Sequence, residues 1–164
     1  MKRVIIVRHA KAVPYGYDED IKRELTERGK KDADRISVEL AKQKITPDLF
    51  ISSPANRTRQ TAEIFAKNLN YPVDSIRYEK KLFTGKTPEN FLKMLQDLTE
   101  EINSVIIFGH NPTVYYYMNY LLRHFVDDVP TCSTVAIDYD VSSWKDLEAR
   151  NGEMGLRLIP DMLE

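Results

Sequence analysis

The sequence predicts an α/β fold with a largely parallel central sheet, and two observations indicate it. Short apolar runs rich in β-branched residues, which are typical of buried strands, alternate along the chain with segments of helical periodicity. Strands that alternate with helices in this way form layered domains whose sheets are mostly parallel. No internal repeat or low-complexity segment interrupts the pattern, so we expect residues 1–164 to form a single domain.

The first half of the chain carries clear helix-start signals. Thr26 is the expected N-cap of the first helix, because its hydroxyl can accept a hydrogen bond from the first turn. Pro54 is expected near the first turn of the second helix, where a missing N–H is tolerated. In order, the predicted elements are a strand over 3–7, a polar loop over 10–25, a helix over 26–44, a strand over 49–52, a helix that begins at Ser53-Pro54, and a short strand over 73–78.

The second half repeats the alternation. Thr87-Pro88-Glu89 combines an N-cap hydroxyl, a proline and an acidic residue, which together favour the start of a helix. Residues 134–140 alternate between apolar and polar side chains, which predicts a strand with one face in solvent. The predicted elements here are a helix that begins at Thr87, a strand over 104–108, a helix over 112–124, and strands over 134–140 and 155–159.

Composition and charge disfavour several classes of function. A formal net charge of -1 and a pI of about 6.3 argue against a nucleic-acid-binding role. No segment approaches the ~20 apolar residues that span a bilayer, and the start of the chain does not have the form of a signal peptide. We therefore expect a cytoplasmic protein that does not bind membranes. The one cysteine, Cys132, cannot form an internal disulfide, and without clusters of metal ligands we expect neither a metal nor another cofactor.

Three segments place polar or cationic side chains directly after a predicted strand. They are Arg8-His9, the stretch from Ser52 to Arg57, and Gly109-His110. Because the carboxyl ends of parallel strands open onto one crevice, we expect these side chains to converge. Two arginines suit a phosphoryl group, since each guanidinium binds its oxygens in a forked manner and no metal is then needed. A neutral imidazole carries a lone pair at neutral pH and is therefore a candidate phosphoryl acceptor.

These segments resemble the histidine phosphatase superfamily, which also contains the cofactor-dependent phosphoglycerate mutases. The superfamily's Arg-His-Gly signature appears here as Arg8-His9-Ala10, and its Ser-Ser-Pro segment with an arginine and Gln-Thr-Ala appears within residues 52–62. Its late Gly-His strand end appears as Gly109-His110. The resemblance implies a three-layer α/β/α fold of the phosphoglycerate mutase-like type. It implies that His9 accepts the phosphoryl group and that Arg8, Arg57 and His110 complete the phosphate pocket.

Within the superfamily, the chain is similar to the small SixA-type phosphohistidine phosphatases. It shares their short length, their Arg-His-Ala-Lys-Ala start at residues 8–12, and an Asp-x-x-Arg-x-Leu-Thr stretch that begins at Asp20. That resemblance implies a metal-independent phosphatase whose substrate is phosphohistidine on a protein, such as a histidine phosphotransfer domain. Arg23 and Asn111 are expected to contact the substrate, in an open pocket bordered by short loops.

The sequence leaves the general acid and the substrate open. Asp20 and Glu79 are both candidates for the acid, and neither is placed convincingly by its motif. If neither serves, the enzyme should favour phosphohistidine, because a P–N bond breaks with less acid assistance than an alkyl phosphate ester. The alternatives are a small-molecule phosphomonoesterase or mutase of the same superfamily, and a catalytically inactive module that only binds phosphate.

Overall fold

A computed structural model describes residues 1–14 and 19–164 of the chain. Within these residues, strands and helices alternate as predicted. The strands are β1 (Lys2–Arg8), β2 (Leu49–Ser52), β3 (Arg77–Tyr78), β4 (Ser104–Gly109), β5 (Thr134–Tyr139) and β6 (Glu153–Leu158). The helices are α1 (Glu27–Lys42), α2 (Asn56–Asn68), α3 (Lys81–Thr84), α4 (Pro88–Gln96) and α5 (Thr113–Leu121).

The described strands form one sheet in the order β3-β2-β4-β1-β5-β6. Strand β1 pairs in parallel with β4, β4 with β2, and β2 with β3. Strand β5 is antiparallel to both β1 and β6, so it alone among these strands runs in the opposite direction. The carboxyl ends of β1, β2 and β4 therefore lie along one edge of the sheet, beside the amino end of β5. The prediction of a mostly parallel sheet is confirmed.

Helices cover both faces of the sheet, because alternate residues of each central strand point to opposite sides. Val4 and Ile6 of β1 belong to a core that includes apolar residues of α3, α4 and α5. Ile5 and Val7 belong to a second core that includes apolar residues of α1 and α2. The predicted three-layer α/β/α arrangement is therefore confirmed.

The start of α1 is set by one cap and one close approach. The hydroxyl of Thr26 accepts a hydrogen bond from the N–H of Gly29 at 3.0 Å, so the predicted N-cap is confirmed. A Cβ at Gly29 would overlap the carbonyl oxygen of Lys11. A glycine stands in this helical turn because the backbone that leaves β1 passes directly against it.

Two predicted boundaries in the first half of the chain are wrong. Helix α2 begins at Asn56 rather than at Ser53-Pro54. The N–H of Ser53 still donates to the carbonyl of Phe108 at 3.0 Å, and Ala55 has an extended backbone with ψ 147°, so the strand pairing delays the helix. The predicted strand over 73–78 is a 3-10 turn, Val73–Ser75, followed by the two-residue β3.

Two predictions fail in the second half, and one helix was not predicted. Strand β5 has no solvent face, because it lies inside the sheet between β1 and β6 and its residues are buried on both sides except for the half-buried Asp138. Helix α5 ends at Leu121 rather than at 124, since Leu122 is extended and forms a bridge with Gly152. Helix α3 has no counterpart among the predicted elements. In the part of the chain that the structure describes, no helix has the length and apolar character needed to cross a bilayer.

Candidate active site

Three strand ends bring the predicted side chains to one edge of the sheet. Arg8 ends β1 and pairs in register with Gly109 of β4. His9 follows, and its N–H donates to the carbonyl of Gly109 at 3.0 Å. His110 follows β4 in the same way. The two imidazole rings consequently lie side by side, with centroids 5.4 Å apart and planes tilted by 55°.

His9 is held as a neutral imidazole with a defined tautomer. Its Nδ1 lies 2.7 Å from the carbonyl oxygen of Ala10, and because a carbonyl only accepts, Nδ1 carries the hydrogen. The pKa of His9 is lowered to about 4, chiefly by burial; the hydrogen bond to Ala10 opposes this change, and the charges of Arg57 and Arg8 add to it. Nε2 therefore keeps an unshared electron pair at neutral pH.

Arg57 lies in the first turn of α2 and is buried, with only 4% of its surface exposed. Its guanidinium donates to the backbone carbonyl of Asp20 at 2.7 Å and approaches the Asp20 carboxylate at 3.2 Å. Arg23 binds the other oxygen of the same carboxylate at 2.9 Å and also donates to the carbonyl of Val13 at 2.8 Å. Asp20 thus links two of the arginines that the sequence predicted for the substrate site.

The charge state of Asp20 follows from this pairing. Burial raises the pKa of its carboxyl group, but Arg57 and Arg23 together outweigh burial and leave the pKa below its ordinary value. Asp20 is accordingly an anion at neutral pH in this arrangement, and a base rather than a proton donor.

Arg8 and Asn111 share one hydrogen-bond acceptor. Arg8 donates to the carbonyl of Val129 at 2.9 Å, and the side-chain amide of Asn111 donates to the same oxygen at 3.1 Å. Burial lowers the pKa of Arg8. This shared contact places Asn111 beside the arginine, although its partner here is the backbone. Its predicted contact with the substrate stays a prediction.

His110 is positioned by a serine hydroxyl. Its Nε2 lies 2.8 Å from Oγ of Ser53, and the ring of Phe83 meets it edge-on at 5.6 Å. Burial, with the charge of Arg57 next in size, lowers the pKa of His110 to about 3, so this ring is also neutral. Ser53 Oγ also accepts the N–H of Ala55 at 3.3 Å. Because a hydroxyl both donates and accepts, its contact with Nε2 is compatible with either neutral tautomer of His110, whose buried Nδ1 has no partner among the described residues.

A second hydroxyl connects the strand that carries His9 to the helix that carries Arg57. Oγ1 of Thr61 accepts the N–H of Ala10 at 3.0 Å and donates to the carbonyl of Arg57 at 2.7 Å. Sequence reasoning did not assign roles to Ser53, Thr61 or Phe83. The two hydroxyls lie inside the Ser-Ser-Pro and Gln-Thr-Ala segments, so polar residues within an otherwise buried motif were the available signal.

The two acid candidates lie in different surroundings. Asp20 is bound to the arginines of the site, as described above. Glu79 instead lines a separate cavity on the α3–α4 side, and its carboxylate accepts the N–H of Lys81 at 3.2 Å. Within residues 1–14 and 19–164, no group of three His, Cys, Asp or Glu side chains is arranged to hold a metal ion.

Comparison with known proteins agrees with this geometry. Residues 4–82 match the model of the histidine phosphatase superfamily, branch 1. Among the solved structures that match nearly the whole chain, two are 26% identical to it. One is the protein histidine phosphatase SixA complexed with tungstate, 26% identical over 99% of both chains with a TM-score of 0.82. The other, a candidate phosphohistidine phosphatase SixA from Agrobacterium tumefaciens, is 26% identical over 97% of this chain and 98% of that one, with a TM-score of 0.81.

Residues 4–82 of this chain thus match the histidine phosphatase superfamily, and the chain as a whole is similar to two SixA proteins. The predicted resemblance to the superfamily and to its SixA-type members is confirmed. The family match ends at residue 82, so it includes Arg8, His9 and Arg57 but not His110. The structural matches extend over the segment that contains His110.

Other matches are more distant. A mycobacterial glucosyl-3-phosphoglycerate phosphatase covers 94% of this chain with a TM-score of 0.68, but at 14% identity it shows the common fold alone. An uncharacterized chloroplastic protein of Arabidopsis thaliana is 25% identical over 96% of this chain and 75% of its own length.

Proposed function

We propose that this protein hydrolyses phosphohistidine on a protein through a covalent intermediate on His9. The observation that carries the proposal is the hydrogen bond of 2.7 Å between Nδ1 of His9 and the carbonyl of Ala10. It directs the lone pair to Nε2, and the lowered pKa keeps that pair unprotonated at neutral pH. A module that only bound phosphate would have no need of such a nucleophile.

The reaction has two steps. In the first, Nε2 of His9 attacks phosphorus, an Nε2–P bond forms, and the P–N bond of the substrate breaks. The leaving imidazole keeps the electron pair of that bond and takes one proton from solvent. In the second step, water attacks phosphorus and loses a proton to solvent, while the Nε2–P bond breaks and returns its electron pair to Nε2 of His9. Inorganic phosphate is released. Arg8, Arg57 and His110 stabilise the charge on the transferred oxygens in both steps.

The surroundings of the two carboxylates favour phosphohistidine as the substrate. Asp20 is held as an anion by Arg57 and Arg23, and Glu79 is hydrogen-bonded to the backbone of Lys81. Neither carboxyl group is therefore arranged as a strong proton donor. A leaving imidazole needs less help from such a donor than the alkoxide released from a phosphomonoester, so the phosphoamidate is the better match.

The partner that we propose is a phosphorylated protein, such as a histidine phosphotransfer domain. The similarity to a protein histidine phosphatase SixA supports it. Arg23 is proposed to join Arg57 in binding the phosphoryl group once the anion of the substrate competes with Asp20 for both guanidiniums. The whole of residues 1–164 is proposed to act as one domain without a metal or cofactor.

A rapid-quench experiment tests this function. The enzyme is mixed with a histidine phosphotransfer domain that carries labelled phosphohistidine, and separately with a labelled phosphomonoester. We expect a transient label on the enzyme that is labile to acid and stable to alkali, and that is lost in His9→Ala but kept in His124→Ala, a control that removes an exposed histidine. Faster turnover of the monoester would replace the proposed substrate by a small molecule. Phosphate binding without any label would indicate an inactive module.

A further inference from the structure

A cavity of about 430 Å³ lies on the far side of α3 from the catalytic histidines. Four basic side chains line it: Arg77, Lys81, Lys86 and Lys93. We call this cavity the basic cleft. Glu79 and Asp97 are the acidic residues in its lining, so cations outnumber anions there. The excess is local, because the formal net charge of the whole chain is only -1.

The cations of the basic cleft have no carboxylate partner within the described residues, as is also true of exposed lysines such as Lys31 and Lys67. Among the residues that the structure describes, none of the four forms an ion pair. Arginines on other surfaces do, as in the pairs Arg123–Glu153 at 2.8 Å and Arg28–Asp32 at 3.0 Å. The carboxylate of Glu79 accepts a backbone N–H rather than a side-chain donor. Four basic residues against two acidic ones leave the lining of the cleft with an excess of positive charge.

The cleft adjoins the catalytic site through a shared wall. Helix α3 presents Phe83 to the ring of His110 at 5.6 Å, while Lys81, in the first turn of the same helix, lines the cleft. The N–H of Glu79 donates to the carbonyl of Ser52 at 2.9 Å, which ties the cleft to the strand end that precedes Ser53. A ligand in the cleft would lie one short helix away from His110.

We propose that the basic cleft binds an acidic surface of the phosphoprotein next to its phosphohistidine. This inference rests on the proposed function and assigns a docking surface to it. Complementary charge raises the rate of encounter and fixes the orientation of a partner. A small substrate has no such surface and reaches His9 without using the cleft.

The docking surface is tested by measuring a cleft variant and a control variant, each with two substrates. Lys81→Glu/Lys93→Glu reverses two exposed charges in the cleft, and Lys31→Glu/Lys67→Glu makes the same change in net charge on exposed positions of α1 and α2. Each protein is assayed with a phosphorylated histidine phosphotransfer domain and with free phosphohistidine. For the cleft variant we expect kcat/KM on the domain to fall by about tenfold or more, mainly through KM, with weaker salt dependence. Activity on free phosphohistidine should stay within about twofold, and the control variant should match wild type on both substrates.

Each other outcome contradicts a particular step. Equal losses on both substrates would mean that the substitutions disturb the catalytic site, and would overturn the docking surface. Unchanged activity on the domain would overturn it too, while leaving the phosphohistidine phosphatase intact. A wild-type enzyme that hydrolyses a phosphomonoester but not the phosphorylated domain would instead refute the proposed function, and with it the occupant of the cleft.

Discussion

The two histidines of the site are alike in environment but differ in what holds them. Both are largely buried, neutral and at the end of a parallel strand. His9 is oriented by the backbone carbonyl of Ala10, which only accepts hydrogen bonds, so its tautomer is determined by the chain itself. His110 is oriented by the hydroxyl of Ser53, which can donate or accept. The tautomer of His9 should therefore stay the same when a neighbouring side chain is substituted, whereas that of His110 depends on Ser53.

The largest expected difference between the two histidines is the loss of activity when each ring is removed. His9→Ala removes the proposed nucleophile, and we expect kcat on phosphohistidine protein to fall by about 10⁴-fold or more. His110→Ala removes one proposed donor to the transferred group, and the expected loss is on the order of 10²- to 10³-fold. Steady-state kinetics with His124→Ala as control measure both. Equal losses, or His9→Ala activity within tenfold of wild type, would contradict the assigned roles.

The charge of Arg57 lowers the pKa of both histidines, so its removal should change both pKa values. Its charge lowers the pKa of each ring, and it lies closer to the site than Arg59, which pairs with Glu63 at 3.4 Å. We expect Arg57→Ala to cost at least about 2 kcal/mol of transition-state stabilisation, or roughly 30-fold in kcat/KM.

Arg59→Ala is the matched control for that substitution and should change kcat/KM by less than about threefold. The reverse ranking of the two variants would assign the phosphate to Arg59. A rise in both histidine pKa values in Arg57→Ala, measured by NMR titration, would accompany the predicted loss.

Substitution of Ser53 tests the contrast between the tautomers directly. Ser53→Ala removes the hydrogen-bond partner of Nε2, so His110 should populate both neutral tautomers while His9 keeps its hydrogen on Nδ1. The nitrogen chemical shifts of the two rings measure this, and we expect kcat to fall by about tenfold. Ser52→Ala is the control, because that buried hydroxyl donates to the carbonyl of Ser53 and not to His110. An unchanged His110 tautomer in Ser53→Ala would show that the serine does not select it.

A smaller effect is expected on stability, because both buried histidines should make the free energy of unfolding depend on pH. A histidine that is neutral in the folded protein takes up its proton in the unfolded chain near pH 6.5. With folded pKa values of about 4 for His9 and about 3 for His110, stability is fully present above pH 6.5 and is lost as the pH falls toward 4 and then 3. Urea unfolding at a series of pH values measures the slope, and removal of either ring should reduce it by about one proton. A slope that is unchanged in both variants would mean that the rings are protonated in the folded state.

Much of the site was predictable because its signals are local. Arg8, His9 and His110 each lie at a strand end within a short motif, and parallel pairing brings such ends together. The hydrogen-bond partners were not predictable in the same way. Ser53 and His110 are 57 residues apart along the chain, and their contact depends on the register of β2 against β4. The position of Asp20 between Arg57 and Arg23 likewise requires the loop before α1 to be folded against α2.

By itself, the sequence determined the alternation of strands and helices, the Thr26 cap and the identity of the motif residues, because each depends on a few neighbouring positions. Tertiary structure alone decided that β5 runs against the other strands, that α2 starts only at Asn56, and that Ser53 supports His110. It also decided that four basic side chains from separate segments line one cleft beside α3. Strand direction, delayed helix starts and charge pairing are set by contacts between distant segments, and such contacts exist only in the folded chain.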